Sequence, residues 1–133
     1  MADAPIPTSG FKADAGKARF DLIPSKPLFA LAQLFTLGST KYSARNWERG
    51  MRFGRVFAAM MRHAWAWWGG EDHDPIDGQH HLTSVQWCAM TLQELCETHP
   101  ECDDRPKPTP PNEAVVAEIA AEAVKDPTKT FVR

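Results

Sequence analysis

Three stretches of this chain repeat apolar residues at helical spacing, and no stretch alternates apolar and polar residues as a strand does. In the first stretch, Leu28, Leu31 and Leu34 recur every three residues, which places them on one face of a helix. Glycine and proline separate the stretches, so each is expected to be its own helix. The sequence therefore predicts an all-α fold, a small helical bundle of three core helices. The predicted helices span 26–37, 55–68 and 79–98.

The C-terminal part of the sequence differs in composition, because five prolines fall between 99 and 112. Such a stretch is typical of a linker. Asn112 can then cap a last helix, 113–124, which is rich in Ala and Glu. An alternative is that this tail docks on a partner subunit. The predicted organisation is a flexible N-terminus (1–10), a catalytic helical domain (11–99), a Pro-rich linker (100–112) and a C-terminal helix with its tail (113–133).

The size of the chain leaves room for only a thin core. The 133 residues suggest one domain, with five Trp and seven Phe to bury. We therefore expect some of these aromatic side chains to be buried between subunits of an oligomer. The N-terminus shows no signal-peptide pattern and no window reaches about 18 apolar residues, so we expect a soluble, intracellular protein without a membrane segment.

The three cysteines indicate no disulfide framework and no zinc ribbon, because no two are spaced as Cys-x-x-Cys. Free thiols fit a reducing compartment. Cys88 and Cys96 are eight residues apart on the third predicted helix, and we expect both to be small buried core residues.

Several common catalytic motifs are absent from the sequence, among them the phosphate-binding P-loop, the dinucleotide-binding glycine pattern, the HExxH zinc helix and the GxSxG nucleophile elbow. The charge distribution is more informative. The stretch 11–62 carries ten Lys and Arg against three acids, whereas 63–105 carries nine acids and one Arg. Basic side chains suit phosphate oxygens and clustered carboxylates suit divalent cations, although solvated surfaces would look the same.

The densest cluster of possible ligands lies between the second and third predicted helices. Within eleven residues it offers four carboxylates and three imidazoles: Glu71, Asp72, His73, Asp74, Asp77, His80 and His81. Carboxylates favour Mg²⁺ or Mn²⁺, and an added imidazole shifts the preference toward Mn²⁺ or other transition ions. The alternative is a solvated acidic turn in which Asp74 or Asp77 caps the third helix.

His63 falls on the apolar face of the second predicted helix, which leads directly into the acidic cluster. It is either a core histidine or a metal ligand or proton carrier. His73-Asp74 also invites comparison with the His-Asp phosphohydrolases. Those enzymes need an upstream His on a separate helix, whereas His63 lies only ten residues away, so this interpretation is not favoured.

Four blocks, taken in order and with their spacing, resemble the phage MazG-like dATP/dGTP diphosphohydrolases of the MazZ type. The resemblance covers about 11–95, and no single block is specific by itself. The blocks are Lys12-Ala-Asp-Ala-Gly-Lys17-Ala-Arg-Phe-Asp-Leu-Ile-Pro24, Gly38-Ser-Thr-Lys41-Tyr42-Ser-Ala-Arg-Asn46-Trp47, Arg62-His63, and Gly70-Glu71 with Asp74-Pro75 and Gly78 to Leu82. The paired-glutamate helix motif of the wider superfamily is not visible, and Ile76 stands where relatives often carry an acid.

The resemblance implies an all-α pyrophosphohydrolase that cuts a purine deoxynucleoside triphosphate (dGTP or dATP) into a monophosphate and pyrophosphate. It implies Mg²⁺ or Mn²⁺ as cofactor and a homo-oligomer, a dimer or tetramer. It also implies remodelling of the nucleotide pool for phage DNA containing 2-aminoadenine, in the host cytoplasm.

With this resemblance, the site is expected to divide into three sets of residues. The catalytic set is Glu71, Asp74 and His63, and the metal ligands are Glu71, Asp74, Asp77 and His81. The substrate-binding set is Lys12, Lys17, Arg19, Lys41, Asn46, Trp47 and Arg62. The Lys and Arg side chains would bind phosphate oxygens, and Asn46 would hydrogen-bond to the edge of a purine. Trp47 would either stack on the base or belong to the core.

Two other kinds of protein stay open at this point. One is a nucleotide- or nucleic-acid-binding module without catalysis, in which basic and aromatic side chains contact bases and phosphates. The net charge of −2 and the lack of a known motif argue against nucleic acid as the partner. The other is a structural protein stabilised by a metal.

Overall fold

A computed structural model describes residues 3–6, 8–126 and 128, and in this part of the chain the fold is all-α, as predicted. The chain forms two compact units, Met1–Asp103 and Asp104–Arg133. Within the described residues, the first unit contains three α-helices and three short 3-10 helices, and the second contains one α-helix. The α-helices are α1 (Ser25–Lys41), α2 (Phe53–Trp68), α3 (His81–Thr98) and α4 (Glu113–Lys125).

Helix α1 begins directly after Pro24 and runs past the point where the sequence predicts its end. The predicted helix stops just before Gly38, but Gly38 is still helical and its carbonyl accepts from the Tyr42 backbone N–H at 3.0 Å. A glycine in a helix costs only about 1 kcal/mol relative to alanine, so the packing of the helix easily outweighs it. Ser25 is the first helical residue and does not cap the helix with its side chain.

Helix α3 packs against both α1 and α2 and so forms the centre of the first unit. Its buried stripe is partly polar and contains Ser84, Cys88, Thr91 and Leu95. The sequence places Ala89 and Cys96 on this inner face as well, but both are exposed. That expectation was wrong because short polar side chains, which the apolar pattern passes over, occupy the buried positions. The rest of the apolar core comes from Leu31, Phe53 and Val56.

The connection between α1 and α2 depends on Gly50. Its φ is +87°, a backbone conformation that side chains other than glycine rarely adopt. A Cβ at this position would lie 2.8 Å from Cδ2 of His99, beyond the end of α3. The turn therefore brings the chain close to the far end of α3 before α2 begins.

The second unit contains α4, whose start is the predicted one. Asn112 Oδ1 accepts from the Ala114 backbone N–H at 3.0 Å, as expected of a capping asparagine. Val115, Val116 and Ile119 are partly exposed on this helix. Among the described residues, no helix combines the length and apolar character needed to cross a membrane.

Candidate metal centre and adjoining groove

Helix α2 ends in a Schellman motif that sets the position of Glu71. Gly70 has a φ of +102°, its N–H bonds to the Trp67 carbonyl at 2.9 Å, and the Glu71 N–H bonds to the Ala66 carbonyl at 3.1 Å. These are the two nested hydrogen bonds of that motif. Glu71 is thus tied to the last turn of α2, and its side chain starts from a fixed place.

The acidic loop that follows is closed by backbone hydrogen bonds between its two ends. The His81 N–H bonds to the Asp72 carbonyl at 2.9 Å, and the Asp74 N–H bonds to the Gln79 carbonyl at 2.8 Å. His73 and His80 form an isolated antiparallel bridge between these bonds. The loop is therefore a narrow hairpin, and its folding brings Asp74 back toward the two helices.

Asp74 and Asp77, either of which could cap α3 if the cluster were only a solvated acidic turn, accept hydrogen bonds within the loop instead. Asp74 Oδ1 accepts from the Ile76 N–H at 2.8 Å, and Asp77 Oδ1 accepts from the Gln79 N–H at 2.9 Å. The cap of α3 is His80, whose Nδ1 accepts from the Leu82 N–H at 3.1 Å. The Asx turn at Asp74 fixes one carboxylate oxygen and leaves Oδ2 to face the helices.

Three side chains from three different elements converge at this point. His63 of α2, Asp74 of the loop and His81 of α3 each offer one ligand atom, and these atoms lie within 4.8 Å of one another. His63 Nδ1 and His81 Nδ1 are 2.9 Å apart, and His63 Nδ1 is 3.9 Å from Asp74 Oδ2. Two imidazoles and a carboxylate at this spacing form a donor set for one divalent transition ion.

Glu71 contacts the opposite nitrogen of the His81 ring. Its Oε1 lies 2.7 Å from Nε2, while His81 Nδ1 faces His63. An Nε2–H that donates to this carboxylate leaves Nδ1 with its lone pair free. A histidine oriented by a carboxylate in this way is the usual arrangement of a metal-binding imidazole. The His81 side chain is also held by burial, since the residue is only 3% exposed.

His63 is favoured in its neutral form. Burial lowers the pKa of His63 the most, and His81 lowers it further; Asp74 and Asp77 raise it in part. The main cause is desolvation, which penalises the charged imidazolium. A neutral imidazole is the form that can bind a cation or accept a proton.

A groove of about 1140 Å³ opens beside the cluster, within the first unit. Its walls are the second half of α1 with the segment that follows it, and the facing sides of α2 and α3. His63 lines the groove and also belongs to the cluster. On α2, Arg55, Ala59 and His63 line it at four-residue spacing, which is one face of the helix.

The structure brings some of the predicted site residues together and leaves others apart. Lys41, Asn46, Trp47 and Asp77 line the groove together with His63. Glu71 lies beside the cluster rather than within the group of three. Four predicted substrate-binding cations are exposed and do not line the groove: Lys12, Lys17, Arg19 and Arg62. Arg19 pairs instead with Asp21, its Nε 2.6 Å from Oδ1, and this contact raises the pKa of Arg19 and lowers that of Asp21.

Sequence reasoning missed four charged residues of the groove, namely Arg45, Glu48, Arg55 and Glu94. Arg55 could have been found, because it lies two helical turns before His63 on the same face. Glu94 could have been found as well, because it lies seven residues after Trp87, on the same face of α3, and Trp87 also lines the groove. Arg45 could not have been found from helical spacing, because it lies in a turn, where its φ is +56°.

The fold and the site define a class: an all-α protein in which a candidate divalent-cation centre adjoins a groove lined by charged and aromatic side chains. Within that class, the chain belongs to the family described as dATP/dGTP diphosphohydrolase, N-terminal, whose profile matches residues 7–105. The resemblance carried by the four sequence blocks is thereby confirmed.

A similar protein also supports membership of this family. The chain is 32% identical over 97 residues to a protein of Salmonella phage PMBT28 named dATP/dGTP diphosphohydrolase. The matched part is 73% of this chain but only 33% of that protein, so this chain spans about a third of its relative's length. No solved structure matches the chain.

Proposed function

We propose that this chain carries the catalytic centre of a metal-dependent hydrolase that converts dGTP or dATP to the monophosphate and pyrophosphate. The family supports this choice of substrate class. One observation carries the proposal: His63 belongs both to the cation cluster and to the wall of the groove. A substrate in the groove would therefore meet the cluster without any rearrangement of the helices.

The donor set fits a cation with six ligands. Two neighbouring ligands of an octahedral ion, each about 2.1 Å from it, lie about 3 Å apart, and His63 Nδ1 and His81 Nδ1 are 2.9 Å apart. Two imidazoles with one carboxylate favour Mn²⁺ over Mg²⁺, which prefers oxygen ligands. For an ion to be held here, His63 must carry its ring hydrogen on Nε2, because both Nδ1 atoms face the cluster.

His63, His81 and Asp74 would hold the ion, and Glu71 would keep His81 in its ligating tautomer through Nε2. When bound, the ion would neutralise phosphate charge and lower the pKa of a bound water. Asp77 is exposed within the same loop and lines the groove, so it would contribute charge to the site rather than belong to the group of three.

The remaining work falls to the side chains of the groove. In the proposed reaction a water oxygen bonds to the α-phosphorus and releases its proton to solvent, the bond from that phosphorus to the bridging oxygen breaks, and pyrophosphate leaves. Lys41 on α1 and Arg55 on α2 both line the groove, where they would hold phosphate oxygens. Trp47 and Asn46 lie on the segment after α1, where they would contact the base.

The test replaces Asp74, the carboxylate of the cluster. Asp74→Asn should weaken Mn²⁺ binding at least tenfold and abolish turnover, because it removes the only negative charge among the three donors. Asp72→Asn is the matched control: it lies in the same loop and bonds to His81 through its backbone carbonyl, not its side chain. Mn²⁺ affinity is measured by isothermal titration calorimetry and folding by circular dichroism.

Alanine at Glu71 or at Asp74 should likewise abolish turnover while the helical fold persists. Full activity in both alanine variants would refute this site. Nucleotide binding with no turnover in the unsubstituted protein would favour a binding module without catalysis, the second interpretation of the sequence.

The biological setting is the finer part of the proposal. The name of the Salmonella phage relative supports a phage enzyme acting on purine deoxynucleotides. We propose that it lowers the dATP and dGTP pools in the host cytoplasm, where phage DNA containing 2-aminoadenine is made. We also propose that it acts as a homo-oligomer, because the exposed face of α2 carries Phe57, Met61, Trp65 and Trp68 at helical spacing.

A further inference from the structure

A side pocket of about 280 Å³ lies next to the groove and shares three of its residues, Phe35, Trp47 and Glu94. It lies on α3 toward the far end from the cation cluster. Thirteen residues of helix separate His81 from Glu94, a rise of about 20 Å. An extended nucleoside triphosphate is long enough to span the distance between the cation cluster and Glu94, because the side chains at both ends extend toward it.

The walls of this side pocket suit a flat ring. Phe35 and Trp47 both line it, and Phe35 also packs at a tilt against Trp87, with ring centroids 5.9 Å apart. Trp47 and Trp87 are each only partly buried, so parts of these rings face the open space. Aromatic side chains of this kind stack on nucleobases of any identity, and stacking alone does not select one base.

Selection requires polar groups at the edge of the ring. Four polar residues line the side pocket, namely Thr91, Gln93, Glu94 and Glu97, and of these only Glu94 also lines the groove. The Glu94 carboxylate is exposed to the groove and the side pocket. Thr91, one helical turn earlier, also lines the side pocket; the residue is 2% exposed, and its hydroxyl has no hydrogen-bond partner among the described residues. A buried hydroxyl without a partner calls for an explanation, and a ligand in the pocket would supply one.

We propose that this side pocket binds the base of the substrate and that Glu94 selects guanine. The inference rests on the proposed hydrolysis of a purine deoxynucleoside triphosphate and deepens it. A carboxylate only accepts hydrogen bonds, and it can accept two side by side. Guanine offers two adjacent donors, N1–H and the 2-amino group. Adenine presents the lone pair of N1 at the same place, so the carboxylate would repel it.

The variant Glu94→Gln reverses this pattern, because an amide offers one acceptor and one donor. Glutamine can donate to N1 of adenine and accept from its 6-amino group, but it can no longer satisfy both donors of guanine. We expect kcat/KM for dGTP to fall by roughly tenfold to a hundredfold relative to that for dATP. Glu94→Ala should lose the preference for dGTP without any gain for dATP.

A third nucleotide isolates the contact to the 2-amino group. Deoxyinosine triphosphate keeps N1–H and lacks that amino group, so the unsubstituted protein should use it less well than dGTP. Glu94→Gln should remove most of this difference. Glu101→Gln is the control: it makes the same charge change near the end of α3 and lines neither cavity.

The binding of dGMP and dAMP, followed by tryptophan fluorescence in the presence of EDTA, gives a second readout that is independent of turnover. The unsubstituted protein should bind dGMP more tightly, and Glu94→Gln should bind dAMP more tightly.

If dGTP is hydrolysed but Glu94→Gln keeps the preferences of the parent in both assays, the base assignment is overturned while the proposed function stands. If no triphosphate is hydrolysed yet dGMP is preferred through Glu94, the proposed function fails and the base pocket stands. Equal binding of both monophosphates by the parent would also overturn the assignment.

Discussion

At the scale of single residues, His81 connects the acidic loop, His63 and Glu71. Its backbone N–H closes the acidic loop, its Nδ1 meets His63, and its Nε2 meets Glu71. The sequence identified His81 as a candidate because it ends a run of acids and histidines. It could not show that His73 and His80 would pair with each other across the loop, because that pairing depends on the register of the hairpin.

The role of Glu71 can be separated from that of a direct ligand. Glu71→Gln keeps the shape of the side chain but removes the charge that holds the Nε2–H of His81. We expect Mn²⁺ affinity to fall by about tenfold to a hundredfold, as is typical when a group that orients a ligand is changed. Calorimetric titration measures this loss, with Glu101→Gln as control. An unchanged affinity would contradict the role of Glu71 in orienting His81.

The cysteines offer an independent check of the core. Burial raises the pKa of the Cys88 thiol to about 11, partly offset by Arg62, so almost none of it is thiolate at pH 8. Cys96 is exposed. We expect iodoacetamide at pH 8 to modify Cys96 first and Cys88 last, as followed by peptide mass spectrometry. Equal rates at the two positions would show that the inner face of α3 is misplaced.

At the scale of elements, the end of α2 is important for the site, because the Schellman motif there sets the position of Glu71. Gly70→Ala puts a Cβ on a residue with a φ of +102°, although no atom lies within 4 Å of it. The cost is therefore backbone strain alone, about 1–2 kcal/mol, which corresponds to a melting temperature lower by roughly 4–16 °C. The control is Gly10→Ala, where the φ is not positive and space is open.

Thermal unfolding measures this loss, and a Mn²⁺ titration should show weaker binding in the same variant because Glu71 is displaced. A melting temperature and an affinity equal to those of the parent would mean that the turn after α2 does not depend on this glycine.

The helices themselves could be predicted from the sequence, but their buried faces could not be predicted in full. Apolar spacing identified α1, α2 and α3 because each has one side to bury. It assigned Ala89 and Cys96 to the inside of α3, whereas Ser84 and Thr91 are buried there. A helix that packs between two others and lines a cavity buries small polar groups as well as apolar ones, and a hydrophobic pattern cannot register that.

At the scale of the whole molecule, the described part of the chain leaves large aromatic side chains exposed. Trp65 is 71% exposed and Trp68 is 74% exposed, both on α2. The sequence led us to expect such side chains because three helices make a thin core, and the proposed homo-oligomer would cover them. The number of subunits and the partner surface depend on contacts between chains, which no pattern within one chain encodes.

We expect the unsubstituted protein to elute as a dimer or tetramer in size-exclusion chromatography with light scattering. Trp65→Lys should shift it toward the monomer, because it places a charge in an apolar interface. Arg105→Lys serves as control, since it keeps the charge and belongs to the second unit rather than to α2. A monomeric mass for the unsubstituted protein at micromolar concentration would contradict the oligomer.

The central claim is the reaction, and the most direct measurement identifies its products. Each deoxy- and ribonucleoside triphosphate is incubated with the purified protein and Mn²⁺ or Mg²⁺, and the products are resolved by ion-exchange chromatography. We expect monophosphate and pyrophosphate from dGTP and dATP, faster with Mn²⁺, and none with Asp74→Asn. A free nucleoside with triphosphate, or no turnover with either metal, would contradict the account.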